Sequence, residues 1–152
     1  MGLHDFTWYD VINRNAACFH SRPAWFEADE RHTMTFAEFK RTVDQLACGL
    51  QKRKIGKGDR IGVLGQNSRE YFLLYGAAAA LGAIVLPINW RLAAEEVVFN
   101  LNDCAPAVLF VDPAYQEVIQ RAKNKLPSVK HYYNLKPRAG AFSDFGALID
   151  ND

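Results

Sequence analysis

Three consecutive residues, Asn89, Trp90 and Arg91, have the side chains in this sequence that are best suited to binding a ligand. Arg91 offers a planar fork of donors that matches a phosphate group, and Trp90 offers a large flat apolar face. They follow an apolar stretch that we predict to be a buried strand, and a predicted helix follows them. Parallel sheets place their binding loops at this carboxyl edge. A second interpretation needs no ligand: Trp90 lies in the core, Asn89 bonds to its own turn, and Arg91 pairs with a carboxylate.

A second candidate is the tetrapeptide Gly65-Gln66-Asn67-Ser68, which follows a predicted strand and opens a helix. Backbone amides at such a helix start could receive an anion. We favour an ordinary strand–helix turn here, because one glycine is a weak indication of a phosphate loop. The sequence lacks a G-x-x-x-x-G-K-[ST] loop, and Gly56-x-Gly58 precedes a strand, which is the wrong side for a dinucleotide fingerprint.

The sequence contains no arrangement typical of a catalytic or metal site. The histidines lack the spacing of metal ligands: His4, His20, His32 and His131. The serines lack the context of a nucleophile elbow: Ser21, Ser68, Ser128 and Ser143. Glu95 and Glu96 fit the solvated first turn of a helix better than an acid–base couple. We therefore predict no catalytic residue and no metal site in this chain.

The cysteines and the apolar stretches bear on the compartment. Cys18, Cys48 and Cys104 form no CxxC pair and have apolar neighbours in or beside predicted helices. We predict reduced, packed thiols, which are typical of a cytoplasmic protein. The first residues lack the cationic start and apolar core of a secretory signal. Two glycines and a proline interrupt the apolar stretch 71–88, so we predict no membrane span, which would need about 20 apolar residues.

The charges exclude one class of partner. The 152 residues contain 18 Lys and Arg against 17 Asp and Glu, a net charge of +1. Such a chain has no broad cationic field, so we expect no nucleic acid or acidic lipid as a partner. The sequence leaves open whether the protein forms a homo-oligomer.

The N-terminal part predicts a small helix and a β-hairpin. A T-x-x-D cap at Thr7 opens a helix that runs to about residue 20, in which apolar residues recur at helical spacing: Trp8, Val11, Ile12 and Phe19. The stretches 24–26 and 32–34 flank a polar turn and predict the hairpin. The box T-F-A-E, which starts at residue 35, then opens a second helix.

Four apolar stretches alternate with helix-length segments further along the chain: 59–64, 84–88, 107–111 and 129–133. Parallel strands need crossovers of about a dozen residues or more, so this alternation predicts parallel pairing. We predict an α/β fold, with a mainly parallel twisted sheet and helices on both faces, preceded by the small N-terminal helix and β-hairpin. Residues 1–135 are predicted to be an N-terminal α/β subdomain. In residues 136–152 the pattern fades and the sequence stops as a cut piece would, which predicts a linker or a truncated connection to a missing remainder.

A series of short phrases, taken together, carries a resemblance to a known family. The phrases are T-F-A-E-F, G-x-G-D-R-I-G-V-L, Q-N-S, A-L-G-A-I-V-L-P-I-N-W-R-L, E-x-x-F-x-L-N-D-C and A-V-L-F-V-D. From about Trp8 to Asp112 the chain resembles the opening segment of adenylate-forming enzymes, and within them acyl-CoA synthetases, also called fatty-acid CoA ligases.

The resemblance implies a parent enzyme that joins a fatty or aryl carboxylic acid to CoA, using ATP and Mg2+ and forming an acyl-adenylate. It places the triphosphate loop, the adenine and ribose motifs and the catalytic lysine downstream of Asp152, so we expect this piece to be inactive and to bind no cofactor tightly. It also implies that Arg91 contacts a phosphate of CoA, with Trp90 as a lesser companion. Two alternatives stay open: a free-standing flavodoxin-like module that binds a nucleotide or CoA without catalysis, and a non-catalytic partner or scaffold domain.

Overall fold

The computed structural model describes residues 6–28, 31–137 and 140–149. The helices of these residues are α1 (Trp8–Phe19), α2 (Phe36–Lys52), α3 (Arg69–Leu81), α4 (Ala94–Cys104) and α5 (Gln116–Ala122). The strands are β1 (Pro23–Glu27), β2 (His32–Thr35), β3 (Arg60–Leu64), β4 (Ile84–Ile88), β5 (Val108–Val111), β6 (His131–Asn134) and β7 (Ser143–Asp144). Short 3-10 turns cover Pro113–Tyr115, Lys123–Lys125 and Phe145–Leu148.

The central sheet is parallel throughout and has the strand order β4-β3-β5-β6-β7. Counted from its own first strand, this order is 2-1-3-4-5, which is the flavodoxin-like order of doubly wound sheets. The direction of winding reverses between β3 and β5. The antiparallel pair β1 and β2 forms a separate hairpin. The predicted α/β fold with a parallel sheet and an N-terminal helix and hairpin is confirmed.

Helices cover both faces of the sheet, as the sequence predicted. On one face, α1, α2 and α3 bury a core that includes Ile12, Val43 and Leu74. On the other face, α4 and α5 bury a core around Leu101 and Ile119. The strands between them are nearly continuous apolar runs, because a parallel sheet with two covered faces has no solvent side.

Two helices begin at the predicted capping boxes. The Thr7 amide donates to the Asp10 carboxylate over 2.7 Å, and the Asp10 amide donates back to the Thr7 hydroxyl over 3.3 Å. The Thr35 amide donates to Glu38 over 2.8 Å in the same manner. Hydrogen bonds from the Thr7 side chain and then its backbone lower the pKa of Asp10. Those from the Thr35 backbone and then its side chain lower the pKa of Glu38.

Three local predictions differ from the structure. Of the α1 residues that recur at helical spacing, Ile12 is buried, whereas Trp8 and Phe19 are about half exposed. Cys18 and Cys48 are exposed rather than packed, because they lie on the outer faces of their helices, and Cys104 is half-buried. The sequence predicted the stretch 129–133 to be the last strand, but β7 follows the strand at 131–134 and pairs with it.

Strand β4 was predicted to be buried and is instead the edge of the sheet, with Ile84 53% exposed. The Ile84 amide donates towards the β3 side, to the Asp59 carbonyl over 2.8 Å. Backbone amides alternate in direction along a strand, so Val85 and Pro87 face the free edge. Pro87 has no amide hydrogen, and an edge position of this kind is where a sheet tolerates proline.

Among the residues placed by the structure, no helix combines the length and the apolar character that a membrane crossing requires.

Candidate functional site at the carboxyl edge of the sheet

The segment Asn89-Trp90-Arg91 connects the end of β4 to the start of α4, at the carboxyl edge of the sheet, as predicted. The buried Ile88 anchors its first end. The Asn89 side-chain oxygen accepts from the Arg91 amide over 3.0 Å, and the Asn89 carbonyl accepts from the Leu92 amide over 3.2 Å. These two bonds fix a tight turn on which Arg91 is exposed.

The Arg91 guanidinium lies over the ring of Trp90, 4.1 Å from the ring centre. Arg91 is exposed, and within the described part of the chain no carboxylate forms an ion pair with it. A guanidinium stacked on an indole keeps its edge donors free, so this arrangement can still accept a phosphate in a fork of hydrogen bonds.

Trp90 is half-buried and supports Arg91 from beneath. Its ring packs against the core of α4 and α5, and its centre lies 6.3 Å from that of Tyr115. Tyr115 belongs to the 3-10 turn that follows β5, a turn capped by Asp112 through the Ala114 amide over 2.9 Å. Residues after two different strands thus form one aromatic platform at the same edge.

The structure shows two of the three elements of the interpretation that needs no ligand. Asn89 bonds to its own turn, and Trp90 contacts the core, as the interpretation without a ligand required. The third element of that interpretation, an ion pair of Arg91 with a carboxylate, is not formed among the described residues. The guanidinium therefore remains available to an anion.

Sequence reasoning missed Tyr115 as a neighbour of Trp90. A usable signal existed, because Asp112-Pro113 follows strand β5 as Asn89 follows β4. In a parallel sheet such positions come to the same edge.

The turn at Gly65 is explained by packing. A Cβ atom at Gly65 would lie 2.8 Å from Leu135 and 3.0 Å from Asp112, so the residue must be small where three strands end together. The Ser68 hydroxyl caps α3 by accepting from the Tyr71 amide over 3.4 Å. Glu70 is buried at the same helix start and pairs with Arg69 over 2.7 Å. The contacts at Gly65 and the Ser68 cap account for this segment without a ligand, which favours the ordinary turn.

The described residues bring together no group of three or more His, Cys, Asp or Glu side chains that could hold a metal ion. The histidines and serines considered from the sequence are not assembled into a nucleophile or ligand cluster among these residues. His4 lies outside the described residues.

The comparisons with known proteins agree on one family. A family model described as AMP-binding enzyme matches residues 12–145. A long-chain-fatty-acid–CoA ligase of Thermus thermophilus is 29% identical over 133 residues, which are 86% of this chain and 25% of that protein.

The solved structure of a Rhodopseudomonas palustris protein, provisionally assigned as a long-chain-fatty-acid CoA ligase, superposes with a TM-score of 0.89 at 37% identity, over 97% of this chain and 37% of that one. The inhibitor-bound N-terminal domain of FACL13 from Mycobacterium tuberculosis gives a TM-score of 0.80 at 30% identity, over 84% of this chain and 33% of that domain. The chain therefore spans about a quarter of the length of the curated relative.

Proposed function

Because this chain belongs to the AMP-binding enzyme family, we propose that it forms the N-terminal part of an AMP-forming acid–CoA ligase. In the first step of that reaction the carboxylate attacks the α-phosphorus of ATP, and pyrophosphate leaves. In the second step the CoA thiolate attacks the acyl carbon of the adenylate, and AMP leaves. The acid is activated as an adenylate because a resonance-stabilised carboxylate is a poor acyl donor, whereas its adenylate is a good one.

The acid in this proposal is a fatty or aryl carboxylic acid. The relatives named for long-chain fatty acids support the fatty class. ATP and Mg2+ belong to the proposal for the whole ligase, with Mg2+ offsetting phosphate charge. The residues described here do not fit either group, because they contain neither a triphosphate loop nor a cluster of metal ligands. We therefore assign no step of adenylate formation to this chain.

Arg91 is the residue through which this chain serves the reaction, by contacting a phosphate of CoA. The observation that carries this role is the exposed guanidinium held on the Trp90 ring, 4.1 Å from its centre, without a carboxylate partner among the described residues. A fixed guanidinium loses less side-chain entropy on binding than a free one. Trp90 contributes by holding Arg91 and presents its remaining edge to the ligand.

A ligase that contains this chain tests the role of Arg91. Arg91→Ala should raise the KM for CoA about tenfold, in line with the loss of a charge-assisted hydrogen bond. Acid-dependent exchange of pyrophosphate into ATP, which reports adenylate formation alone, should stay within twofold of the wild type. If the exchange collapses together with thioester formation, Arg91 is structural and the proposed role is wrong.

The isolated 152-residue chain should catalyse no acid-dependent pyrophosphate exchange. A free-standing binding module is the second candidate, and the flavodoxin-like strand order favours it. A thermal-shift screen with ATP, AMP and CoA separates the two. A shift with a nucleotide that survives Arg91→Ala would support the module.

We also propose a cytoplasmic location for the protein. Cys18 and Cys48 are free thiols on the surface, and exposed unpaired thiols persist in a reducing compartment.

A further inference from the structure

The aromatic contact between Trp90 and Tyr115 joins loops that follow two different strands. Trp90 follows β4 and Tyr115 follows β5, and β3 lies between these strands in the sheet. The two ring centres lie 6.3 Å apart, with their planes inclined by 36°. Aromatic pairs attract each other at separations of about 4.5–7 Å. Both residues are half-buried and pack on the core of α4 and α5. The orientation of each ring therefore depends on the other.

The turn that contains Trp90 fixes the backbone but not the indole ring. Its two hydrogen bonds join Asn89 to the amides of Arg91 and Leu92. Neither bond involves the Trp90 side chain, so packing has to select its rotamer. Within the described part of the chain, Tyr115 supplies the aromatic contact that does so.

Tyr115 is suited to this role because its own turn is held in place. The turn begins at Asp112, whose amide donates to the Leu64 carbonyl of β3 over 2.8 Å. The Asp112 carboxylate accepts from the Ala114 amide over 2.9 Å, and the Asp112 carbonyl accepts from the Tyr115 amide over 2.8 Å. Pro113 restricts the turn further, because its ring fixes φ. The backbone of Tyr115 is thus tied to the ends of β3 and β5.

The two contacts of the indole place three side chains in series. The Arg91 guanidinium lies 4.1 Å from the centre of the Trp90 ring, and the same ring meets Tyr115. A guanidinium stacks over the face of an aromatic ring, so a tilt of the indole would carry the guanidinium with it. Binding that depends on a fork of hydrogen bonds is sensitive to such a displacement.

We infer that Tyr115 is a positioning residue for the binding of CoA, acting on Arg91 through Trp90. This inference rests on the proposed function of Arg91. The role requires no contact between Tyr115 and CoA, because the ring acts by holding the indole in the plane on which the guanidinium stacks. Loss of the ring should therefore weaken CoA binding and leave adenylate formation intact.

The kinetics of a ligase that contains this chain test the inference. Tyr115→Leu removes the ring and keeps an apolar side chain, and it should raise the KM for CoA about two- to fivefold. Tyr115→Phe keeps the ring and should stay within about 1.5-fold of the wild type. The kcat and the acid-dependent pyrophosphate exchange should stay within about twofold in both variants.

Tyr132→Leu is the matched control. Tyr132 is another half-buried tyrosine of the same core, but it stacks on Phe142 at 5.3 Å and not on Trp90. Its replacement should leave the KM for CoA unchanged. An equal rise in the Tyr115→Leu and Tyr132→Leu variants would overturn the inference, because it would show a general effect of core damage.

A double-mutant cycle separates positioning from a direct effect on the ligand. In the Arg91→Ala enzyme the guanidinium is absent, so Tyr115→Leu should then change the KM for CoA by less than about 1.5-fold. An equal rise with and without Arg91 would overturn the inference, as would an unchanged KM in Tyr115→Leu alone.

Pyrophosphate exchange also reports whether each variant folds. Should Tyr115→Leu abolish exchange, Asp112→Ala takes its place, because it removes the cap of the turn and leaves every ring present. It should raise the KM for CoA only while Arg91 is present, and an unchanged KM would overturn the inference. Arg91→Ala alone reports on the proposed function. A raised KM in that variant beside a normal KM in Tyr115→Leu refutes the positioning role only, whereas a normal KM in Arg91→Ala refutes the CoA contact itself.

Discussion

The guanidinium of Arg91 lies 4.1 Å above the centre of the Trp90 ring, and this stack is built on neighbouring residues of one turn. The turn alone would leave a long exposed side chain free to sample many rotamers. The ring restricts it, and Tyr115 from the next loop backs the ring at 6.3 Å. The proposed contact of Arg91 with a CoA phosphate thus depends on an aromatic residue that holds the guanidinium in place.

Replacement of Trp90 should separate the support of Arg91 from its charge. Trp90→Ala in the whole ligase should weaken CoA binding about two- to fivefold, because an exposed cation–π contact contributes about 0.5–1 kcal/mol. Trp90→Phe keeps an aromatic face and should recover most of that loss. Isothermal titration with CoA measures both variants. Equal losses in the two variants would contradict the support role and indicate specific contacts of the indole.

The thiols should differ in reactivity according to exposure. Cys18 and Cys48 are exposed and Cys104 is half-buried, so an aromatic disulfide reagent should titrate two thiols rapidly and the third more slowly. Cys18→Ser and Cys48→Ser should each remove one rapid equivalent, and the native fold is checked by circular dichroism. One rapid thiol or none in the folded protein would contradict the structure.

The sequence predicted those parts of the fold that are determined locally. Both capping boxes lie within four residues of sequence, so Thr7 with Asp10 and Thr35 with Glu38 could be found without knowledge of the rest. The alternation of apolar strands and helices likewise predicted parallel pairing, because the length of a crossover is a local property.

The sequence did not predict features that depend on distant neighbours. Strand β7 has only two residues and exists through its pairing with β6. The edge position of β4 follows from the strand order, which periodicity does not contain. Trp90 and Tyr115 come together from separate loops. Trp8 is apolar yet exposed, because the described residues that pack on α1 leave about half of its surface uncovered.

The cap of α2 should make stability depend on acid pH. Hydrogen bonds from Thr35 lower the folded-state pKa of Glu38 below its ordinary value of 4.5. The carboxylate therefore stabilises the fold fully above about pH 4.5, and this contribution is lost as the pH falls through the lowered folded-state pKa. The free energy of unfolding, measured with urea between pH 3 and 7, should fall less steeply towards acid pH for Glu38→Gln than for the wild type. An unchanged slope would contradict the role of Glu38. Thr35→Ala removes the other half of the same cap, and it should lower the free energy of unfolding by about 1 kcal/mol at pH 7.

Gly76 lies where α1, α2 and α3 meet, and an added methyl group there should destabilise the fold. A Cβ atom at this position would lie 2.7 Å from Val43 and 3.0 Å from Ile12. Val43 is fully buried and branched at Cβ, so it cannot move aside cheaply. Overpacking of this kind costs about 1–3 kcal/mol, against a gain of about 1 kcal/mol in helix propensity. Gly76→Ala should therefore lower the free energy of unfolding by up to about 2 kcal/mol in chemical denaturation.

Gly56→Ala is the control, because a Cβ atom there meets nothing within 4 Å. The double variant with Val43→Ala should lose less than the sum of the two single variants, since the smaller side chain removes the clash. Additive losses would mean that Gly76 is not constrained by Val43, and that the approach of α3 to α2 does not depend on the missing side chain.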